Sequence, residues 1–377
     1  MNVLIATGIF EPEAGGPATY AAGLARGLVA EGHTVTVLTY APRAHADVDA
    51  TYPFRVVRVE RRGKISNRVR FFFAAYSLIR AVDVCYTLDW FAAGVPFALA
   101  ARLRRKTYLA RVGGDYLWEQ KYLESGAPPV TLAAFYERGM HRRLSYRPAS
   151  MLIHWVLRGA SHVVFNSDKQ RALYERFYGL THTSTVWNPL PNPVVVHREK
   201  ATQELVFWGR HIVMKNLDTL IEGFARAKIP ATCTLTLIGD GPQKTSLKRL
   251  VRERAIESRM RFEPGMSLQN VLSRVKDCRA LILPSWTDIS PNQVCESMML
   301  GLPALVTKEN YLPFGSSIPE MIDPASADDI ARKIEMIADD EKYQAFAAKW
   351  KEVSFAHDWK DVVREHMSLF GTLKKEV

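Results

Sequence analysis

The sequence predicts an α/β protein made of two strand-and-helix domains, each organised around a parallel sheet. Short β-branched runs alternate with helical patterns almost from end to end, the signature of parallel strands covered by helices. The pattern restarts beyond residue 200, after Asn188-Pro189-Leu190-Pro191-Asn192-Pro193, a proline-rich stretch that sustains neither a helix nor a central strand. At 377 residues, 47% hydrophobic and 24% charged, the chain is long enough for two self-sufficient cores. The expected boundaries are 1–190, 191–355 and a helical segment 356–377 that is free to return to the first domain.

In the first half, strands are expected at Asn2–Ala6, Thr34–Thr39, Phe54–Val59, Val84–Thr87, Lys106–Arg111 and His162–Asn166. A helix is expected at Ala18–Glu31, behind the glycine turn and Pro17. The second half offers strands at Glu204–Trp208, Thr234–Ile238, Arg261–Glu263, Ala280–Leu283 and Ala304–Thr307. The intervening helices are read at Asp218–Ala227, Gln243–Arg254, Leu268–Lys276 and Gln293–Leu300. From about Asp328 onward the chain reads as helical, interrupted at Phe355–Trp359. Two such domains facing each other form a central cleft, and open α/β sheets bind ligands at the carboxyl ends of their strands.

Composition excludes several classes. Four scattered cysteines, Cys85, Cys233, Cys278 and Cys295, support neither a disulfide framework nor a zinc cluster, and a reducing cytoplasm fits them. The opening Met1–Ala6 lacks the basic leader and long apolar run of a signal peptide. Phe71–Ile79 and Trp90–Ala101 are too short or interrupted for the roughly 18 to 20 residues of a membrane-spanning helix. The net charge of +11 is uneven: residues 1–196 hold 24 Lys or Arg against 14 Asp or Glu, the remainder 26 against 25. Clusters at Arg55–Lys64, Arg102–Lys106 and Arg138–Arg147 suit anionic lipid or a phosphorylated acceptor, or a plain solvated surface. Nucleic acid is disfavoured, since no binding module accompanies the charge.

Three segments carry the candidate chemistry. After the first strand, Gly15-Gly16-Pro17 lets backbone approach a ligand at a helix N-terminus, although the spacing is not that of a dinucleotide fingerprint. In Gly209-Arg210-His211-Ile212-Val213-Met214-Lys215-Asn216, two cations follow a strand and precede a helix, where a planar fork and a compact charge can neutralise a diphosphate. The third segment runs from Pro284 to Pro303, with Asp288 before a helix and Glu296 within it, carboxylates suited to sugar and ribose hydroxyls. Simpler readings are surface cations for Arg210 and Lys215, and a loop cap for Asp288. Asp47 and Asp49 read as surface residues, and His211 as a loop residue rather than a metal ligand.

Taken with Ile238-Gly239-Asp240-Gly241-Pro242 and Gly32–Leu38, the order of these motifs resembles the retaining glycosyltransferases of family four, the glycosyl transferases of group 1, which have the GT-B fold of two Rossmann-like domains with parallel sheets facing a central cleft. The resemblance is strongest over Leu205–Thr307. It implies that Arg210 and Lys215 hold the donor diphosphate, Glu296 the ribose, and Asp288 a hydroxyl of the donor sugar, while Gly16 admits backbone to the phosphate side. Asp115, behind Gly113-Gly114, resembles an acceptor-side polar residue and is the candidate to orient or deprotonate the acceptor hydroxyl. Asn166, Ser167 and Asn188 fall where the family has cleft-edge residues. The chain departs from the family at its first carboxylate: Glu followed by Gly-Phe-Gly is usual there, and here Asp288 precedes Ile289-Ser290-Pro291.

The function implied is transfer of a sugar from a nucleotide diphosphate sugar to a hydroxyl acceptor with retention, by front-face attack and without a metal or other cofactor. A lipid-linked glycan is among the acceptors, cell-envelope or polysaccharide assembly among the settings, and the cytoplasmic side of an anionic membrane among the locations. A sugar-nucleotide epimerase of the same fold and a non-catalytic sugar-nucleotide-binding subunit remain the alternatives.

Overall fold

The computed structural model describes residues 1–13, 15–42, 46–189 and 201–375. The chain forms two compact units: one of Met1–Trp118, Tyr136–Pro189 and His357–Val377, the other of Glu119–Phe135 and Leu190–Ala356. The stretch from Glu119 to Phe135, which the sequence assigns to the first domain, thus packs as part of the second. Residues Leu190–Pro193 of the expected linker lie outside the described residues.

In the first unit the strands are β1 (Asn2–Thr7), β2 (Thr34–Ala41), β3 (Arg55–Glu60), β4 (Val84–Thr87), β5 (Leu109–Val112), β6 (His162–Phe165) and β7 (Thr183–Thr185). All pairs are parallel, in the order β3-β2-β1-β4-β5-β6-β7. The half-buried edge strand β7 has only three residues, too few to give a sequence signal. The helices are α1 (Gly16–Ala30), α2 (Ala46–Asp49), α3 (Lys64–Leu78), α4 (Gly94–Leu103), α5 (Leu132–Glu137, which runs into this unit from the second), α6 (Arg147–Gly159) and α7 (Asp168–Tyr178). The connection through α1 moves one way along the sheet, and those through α3, α4 and α6 move the other way. Right-handed crossovers therefore place α3, α4 and α6 on the face opposite α1.

The helix that closes the chain (Trp359–Lys375) packs against α1 and supplies Val362, Val363 and Phe370 to the core of Val3, Ile5, Leu24 and Leu28. Gly23 and Gly27, one turn apart on α1, make that contact possible. A Cβ at either would fall 2.1 Å from Trp359 or 2.3 Å from Val363.

The second unit repeats the plan with β8 (Glu204–Trp208), β9 (Thr234–Ile238), β10 (Met260–Glu263), β11 (Ala280–Leu283), β12 (Ala304–Thr307) and β13 (Met321–Ile322). They are again all parallel, in the order β10-β9-β8-β11-β12-β13. Its helices are α8 (Leu217–Arg226), α9 (Lys244–Glu253), α10 (Leu268–Val275), α11 (Asn292–Met299), α12 (Ala327–Ala338) and α13 (Asp340–Glu352), and the closing helix is α14. Buried Phe207, Leu220, Phe224, Leu237, Leu281 and Ile334 belong to one continuous core. In both sheets the central strands read as unbroken apolar runs because helices cover both faces.

Candidate functional site

Each sheet reverses its strand order beside the unit's first strand, between β1 and β4 and between β8 and β11. Open parallel sheets take ligands outside the carboxyl ends of their strands at such a point. In the second unit, the two loops that leave β8 and β11 are those carrying Arg210, Lys215 and Asp288.

The loop after β8 is braced by backbone. The N–H of Gly209 donates to Ile238 (3.0 Å), that of His211 to Asp240 (2.9 Å), and that of Gln243 to His211 (3.1 Å). At Gly239, with φ of +140°, a Cβ would lie 2.0 Å from the Gly209 carbonyl oxygen, so this approach requires glycine. His211 is fully buried, and neither ring nitrogen has a hydrogen-bond partner among the described residues. Burial holds it below the usual His range, and the positive charge of Lys244 adds to the effect. It lies in the loop where the sequence puts it, but packed inward rather than facing solvent.

A short turn, Val213–Lys215, then delivers the chain to Asn216, whose left-handed φ of 55° opens α8. Asparagine tolerates that conformation, and its buried amide donates to the carbonyls of Pro284 (3.0 Å) and Pro324 (2.7 Å). The N–H of Trp286 donates to Met214 (2.9 Å), tying this loop to the one after β11. There Asp288 is clamped on both sides, its N–H donating to Glu309 (3.0 Å) and its carbonyl accepting from Tyr311 (2.8 Å). Thr287 accepts the N–H of Leu132 (2.9 Å), which anchors the segment borrowed from the first half of the sequence.

These braces bring Lys215 and Asp288 together. The Lys215 ammonium donates to Oδ1 (2.9 Å) and Oδ2 (3.0 Å) of Asp288, and both side chains are buried. Sequence spacing, 73 residues apart, could not show this. The desolvation of such a pair is recovered only while both partners are present. The third N–H of the ammonium remains a donor for a phosphate or sugar oxygen. Arg210 is exposed, and its guanidinium has no hydrogen-bond partner among the described residues.

Glu296 lies in the second turn of α11. Its Oε2 accepts the indole N–H of Trp208 at 2.6 Å, and the side-chain amide of Gln293 donates to the Trp208 carbonyl at 3.2 Å. Burial pushes the Glu296 carboxyl above the usual range, opposed by the Trp208 hydrogen bond and the charge of Lys215. Oε1 is thereby left to accept from a ligand hydroxyl. Trp208 and Gln293 escaped the sequence reading. Both sit beside residues it had marked, but only the fold turns the end of β8 toward α11. Pro291 takes the N-cap position of α11, where the Val294 N–H donates to its carbonyl (3.1 Å). Its missing N–H thus removes no bond from the helix.

In the first unit, Gly16 begins α1, and a Cβ there would meet nothing within 4 Å, which leaves the helix end open to an approaching group. The preceding turn is pinned by Arg58, which donates to the Glu11 carbonyl (2.5 Å), and by the Arg61–Glu13 ion pair (2.6 Å). Asp49, read as a surface residue, instead pairs with the buried Arg58 at 2.7 Å.

Asp115 also departs from expectation. It is 1% exposed: Oδ2 accepts the hydroxyls of Tyr136 and Tyr174, both at 2.6 Å, and Oδ1 accepts the N–H of Trp118 at 2.8 Å. Burial raises its pKa against those hydrogen bonds, and burial also keeps both tyrosines protonated. A carboxylate sealed under two tyrosines organises its loop and cannot meet an acceptor hydroxyl. The expected acceptor-side role is corrected accordingly.

Asn166 donates to the Gly113 carbonyl (3.2 Å), Ser167 caps α7, and Asn188 accepts from the buried Arg111 (2.9 Å). Asp89, which the sequence reading passed over, stands at the switch point after β4, with Oδ1 accepting the N–H groups of Phe91 (2.7 Å) and Ala92 (2.8 Å). Burial raises its pKa. Among the described residues, no group of three His, Cys, Asp or Glu is placed to hold a metal.

The comparisons agree with this architecture. Residues 15–191 match the glycosyl transferase 4-like domain, and residues 195–353 match the glycosyl transferases group 1 model. Among curated proteins, no relative matches the chain. Similar solved structures include the sucrose-phosphate synthase of Thermosynechococcus elongatus, 18% identical with a TM-score of 0.71 over 100% of both chains. Anabaena HepE in complex with UDP-glucose is 16% identical with a TM-score of 0.71, over 98% of this chain and 99% of that one. The lipopolysaccharide outer core galactosyltransferase WaaB is also 16% identical, with a TM-score of 0.68 over 99% and 100%. The chain belongs to the glycosyl transferases of group 1 and has the GT-B fold.

Proposed function

We propose that this glycosyltransferase moves a hexose from a nucleotide diphosphate sugar to a hydroxyl acceptor with retention of configuration, with no metal or other cofactor. The observation that carries this reading is that the loop leaving β8 at the switch point carries both an exposed Arg210 guanidinium with no hydrogen-bond partner among the described residues and a Lys215 ammonium anchored on Asp288. A diphosphate there meets one cation with free donors and one held in place, and preorganised charge of this kind stabilises a leaving anion. Glu296, oriented by Trp208, takes ribose hydroxyls, Asp288 faces a hydroxyl of the sugar, and the open N-terminus of α1 at Gly16 serves the phosphate side. The bond from the anomeric carbon to the diphosphate oxygen breaks with both electrons leaving on oxygen. The acceptor oxygen attacks the same face, and its proton passes to the departing diphosphate.

HepE, solved with UDP-glucose, shares the fold, so UDP-glucose is the first donor to test. By the same reasoning the acceptor class includes lipid-linked glycans of the cell envelope or of polysaccharides, made at the cytoplasmic face of an anionic membrane. A thermal-shift panel of nucleotide sugars, followed by product analysis with candidate acceptors, tests the reading, since ligands of the folded state raise its apparent stability. A new glycoside of unchanged anomeric configuration is the expected product. Interconversion of the donor sugar would identify an epimerase, and binding without turnover would identify a sugar-nucleotide-binding subunit.

A further inference from the structure

The first unit carries a basic face on which, among the described residues, only Arg61 and Arg62 are matched by ion pairs, to Glu13 and Glu60. Segments 61–82, 90–114 and 138–167 contain sixteen Lys or Arg and no Asp or Glu. They supply α3, α4 and α6, the run of helices opposite α1 from which α7 with its Asp168 and Glu175 is set apart at the β7 edge, and α4 touches both of its neighbours. The carboxylates of this unit therefore lie elsewhere in its sequence.

The same face is apolar where water should favour polar residues. On α3, Phe71 and Ala75 point into the core, while Ile65, Val69 and Phe73 form a second ridge at i, i+4 and i+8. Ile65 is 81% exposed and Phe73 63%. Neighbouring α4 adds exposed Leu99 and, at 59% exposure, Leu103. The two helices run side by side: Arg104, at the end of α4, lies over the Tyr76 ring of α3 at 3.6 Å and donates to the Tyr76 carbonyl at 3.0 Å. Exposed Arg68, Arg102 and Arg105 stand beside these apolar side chains with no ion pair among the described residues, whereas Arg62 pairs with Glu60 at 2.8 Å. Scattered exposed apolar residues are ordinary, but a ridge that continues across two packed helices marks an interaction surface.

We infer that the α3–α4 face docks on the surface of an anionic phospholipid bilayer, inserting Ile65, Val69, Phe73 and Leu103 at the boundary between headgroups and acyl chains while the arginines pair with lipid phosphates. A protein partner needs countercharges set at particular points, whereas a bilayer needs only apolar side chains of similar reach and surrounding cations on flexible stems. The absence of any carboxylate from these three segments matches a uniformly negative plane. Among the described residues no helix is long and apolar enough to cross a membrane, so the contact is peripheral. The inference deepens the membrane contact proposed above and rests on it, but it draws on no residue of the donor site.

The test is co-sedimentation of the full chain with vesicles of phosphatidylcholine alone and of phosphatidylcholine mixed with phosphatidylglycerol. Nucleotide affinity and melting temperature are measured on the same preparations, so a failed donor reading is seen separately. The parent should pellet with the anionic vesicles only, and less so as salt shortens the screening length from about 30 Å at 0.01 M to about 8 Å at physiological strength. Ile65→Ser with Phe73→Ser should lower vesicle binding about tenfold or more with melting unchanged, because insertion scales with apolar area. Arg102→Gln with Arg105→Gln should weaken binding and flatten its salt dependence. Equal binding to both vesicle types, no binding at low salt, or parental binding by both double variants would overturn the inference. So would a dimer in lipid-free solution that Ile65→Ser with Phe73→Ser abolishes, since the face would then serve a second copy of the chain.

Discussion

The two sheets have the same parallel plan and place an acidic residue after a strand on the carboxyl side, yet Asp115 and Asp288 end in opposite situations. Asp115 follows β5 and is closed over by Tyr136, Tyr174 and the Trp118 amide. Asp288 follows β11 and is met by a cation, Lys215, from the loop after β8. Aromatic hydroxyls delivered by surrounding helices make the first a structural keystone, and an ammonium delivered by a neighbouring loop makes the second part of a charged site. Motif position alone therefore does not separate a ligand-facing carboxylate from a buried one; the group donating to it does.

The strongest way to break this comparison is at the buried pair. Lys215→Met should cost about 3–5 kcal/mol of stability, because it strands the Asp288 carboxylate in a dry site. Adding Asp288→Leu should restore most of that loss in urea unfolding without restoring transfer. If the single variant is as stable as the parent, the pair is not the buried unit described. Asp288→Asn alone also strips Lys215 of its counter-charge, so only the double variant separates folding from sugar recognition.

Arg210 should show the reverse profile. Its exposed guanidinium has no protein partner among the described residues, so Arg210→Ala should melt like the parent while single-turnover transfer falls about 10² to 10³-fold. Arg210→Lys should recover only part of the rate, because the planar fork is gone. Parental turnover in both variants would remove Arg210 from the leaving-group site.

For Asp115, the structural role predicts a loss of roughly 1.5–3 kcal/mol in Asp115→Asn, the worth of hydrogen bonds to a charged group. Nucleotide affinity should stay unchanged. Parental stability combined with lost transfer would return the residue to the acceptor chemistry that its burial denies.

The two units should also answer pH with opposite signs. His366 on α14 is buried against the Tyr86 hydroxyl at 3.0 Å, and burial lowers its pKa from 6.5 to about 3. The unfolded chain takes up that proton first, so stability present above pH 6.5 is lost as pH falls toward 3. His366→Phe should blunt this acid loss in pH-dependent unfolding. Burial raises Glu296 instead, so the folded state keeps a proton the unfolded chain has released. Its contribution is present below the ordinary Glu range and lost as pH rises through the raised value, whereas nucleotide affinity grows as the carboxylate forms. This is the smallest of the effects. Calorimetry with Glu296→Gln should find weaker binding of nucleotide and nucleotide sugar alike, without the parent's pH dependence.

Periodicity and composition by themselves determined most of the secondary structure, because apolar runs buried on both faces and helix-start signals are local. Eleven strands were legible, from Asn2 to Thr307, while β7 and β13 were too short to leave a pattern. The same runs at Phe71–Ile79 and Trp90–Ala101 showed their apolar character but not that they become α3 and α4, one with an apolar ridge turned to solvent. The positions of Arg210, Lys215, Asp288 and Glu296 beside strand ends could also be read in sequence, since strand-to-helix loops carry their own glycine and proline punctuation. Only tertiary structure decided which groups meet: Lys215 with Asp288, Trp208 with Glu296, and Asp115 with Tyr136 and Tyr174. Parallel crossovers set residues far apart in the chain side by side, and a pairing fixed by strand order and packing leaves no local trace in the residues that make it.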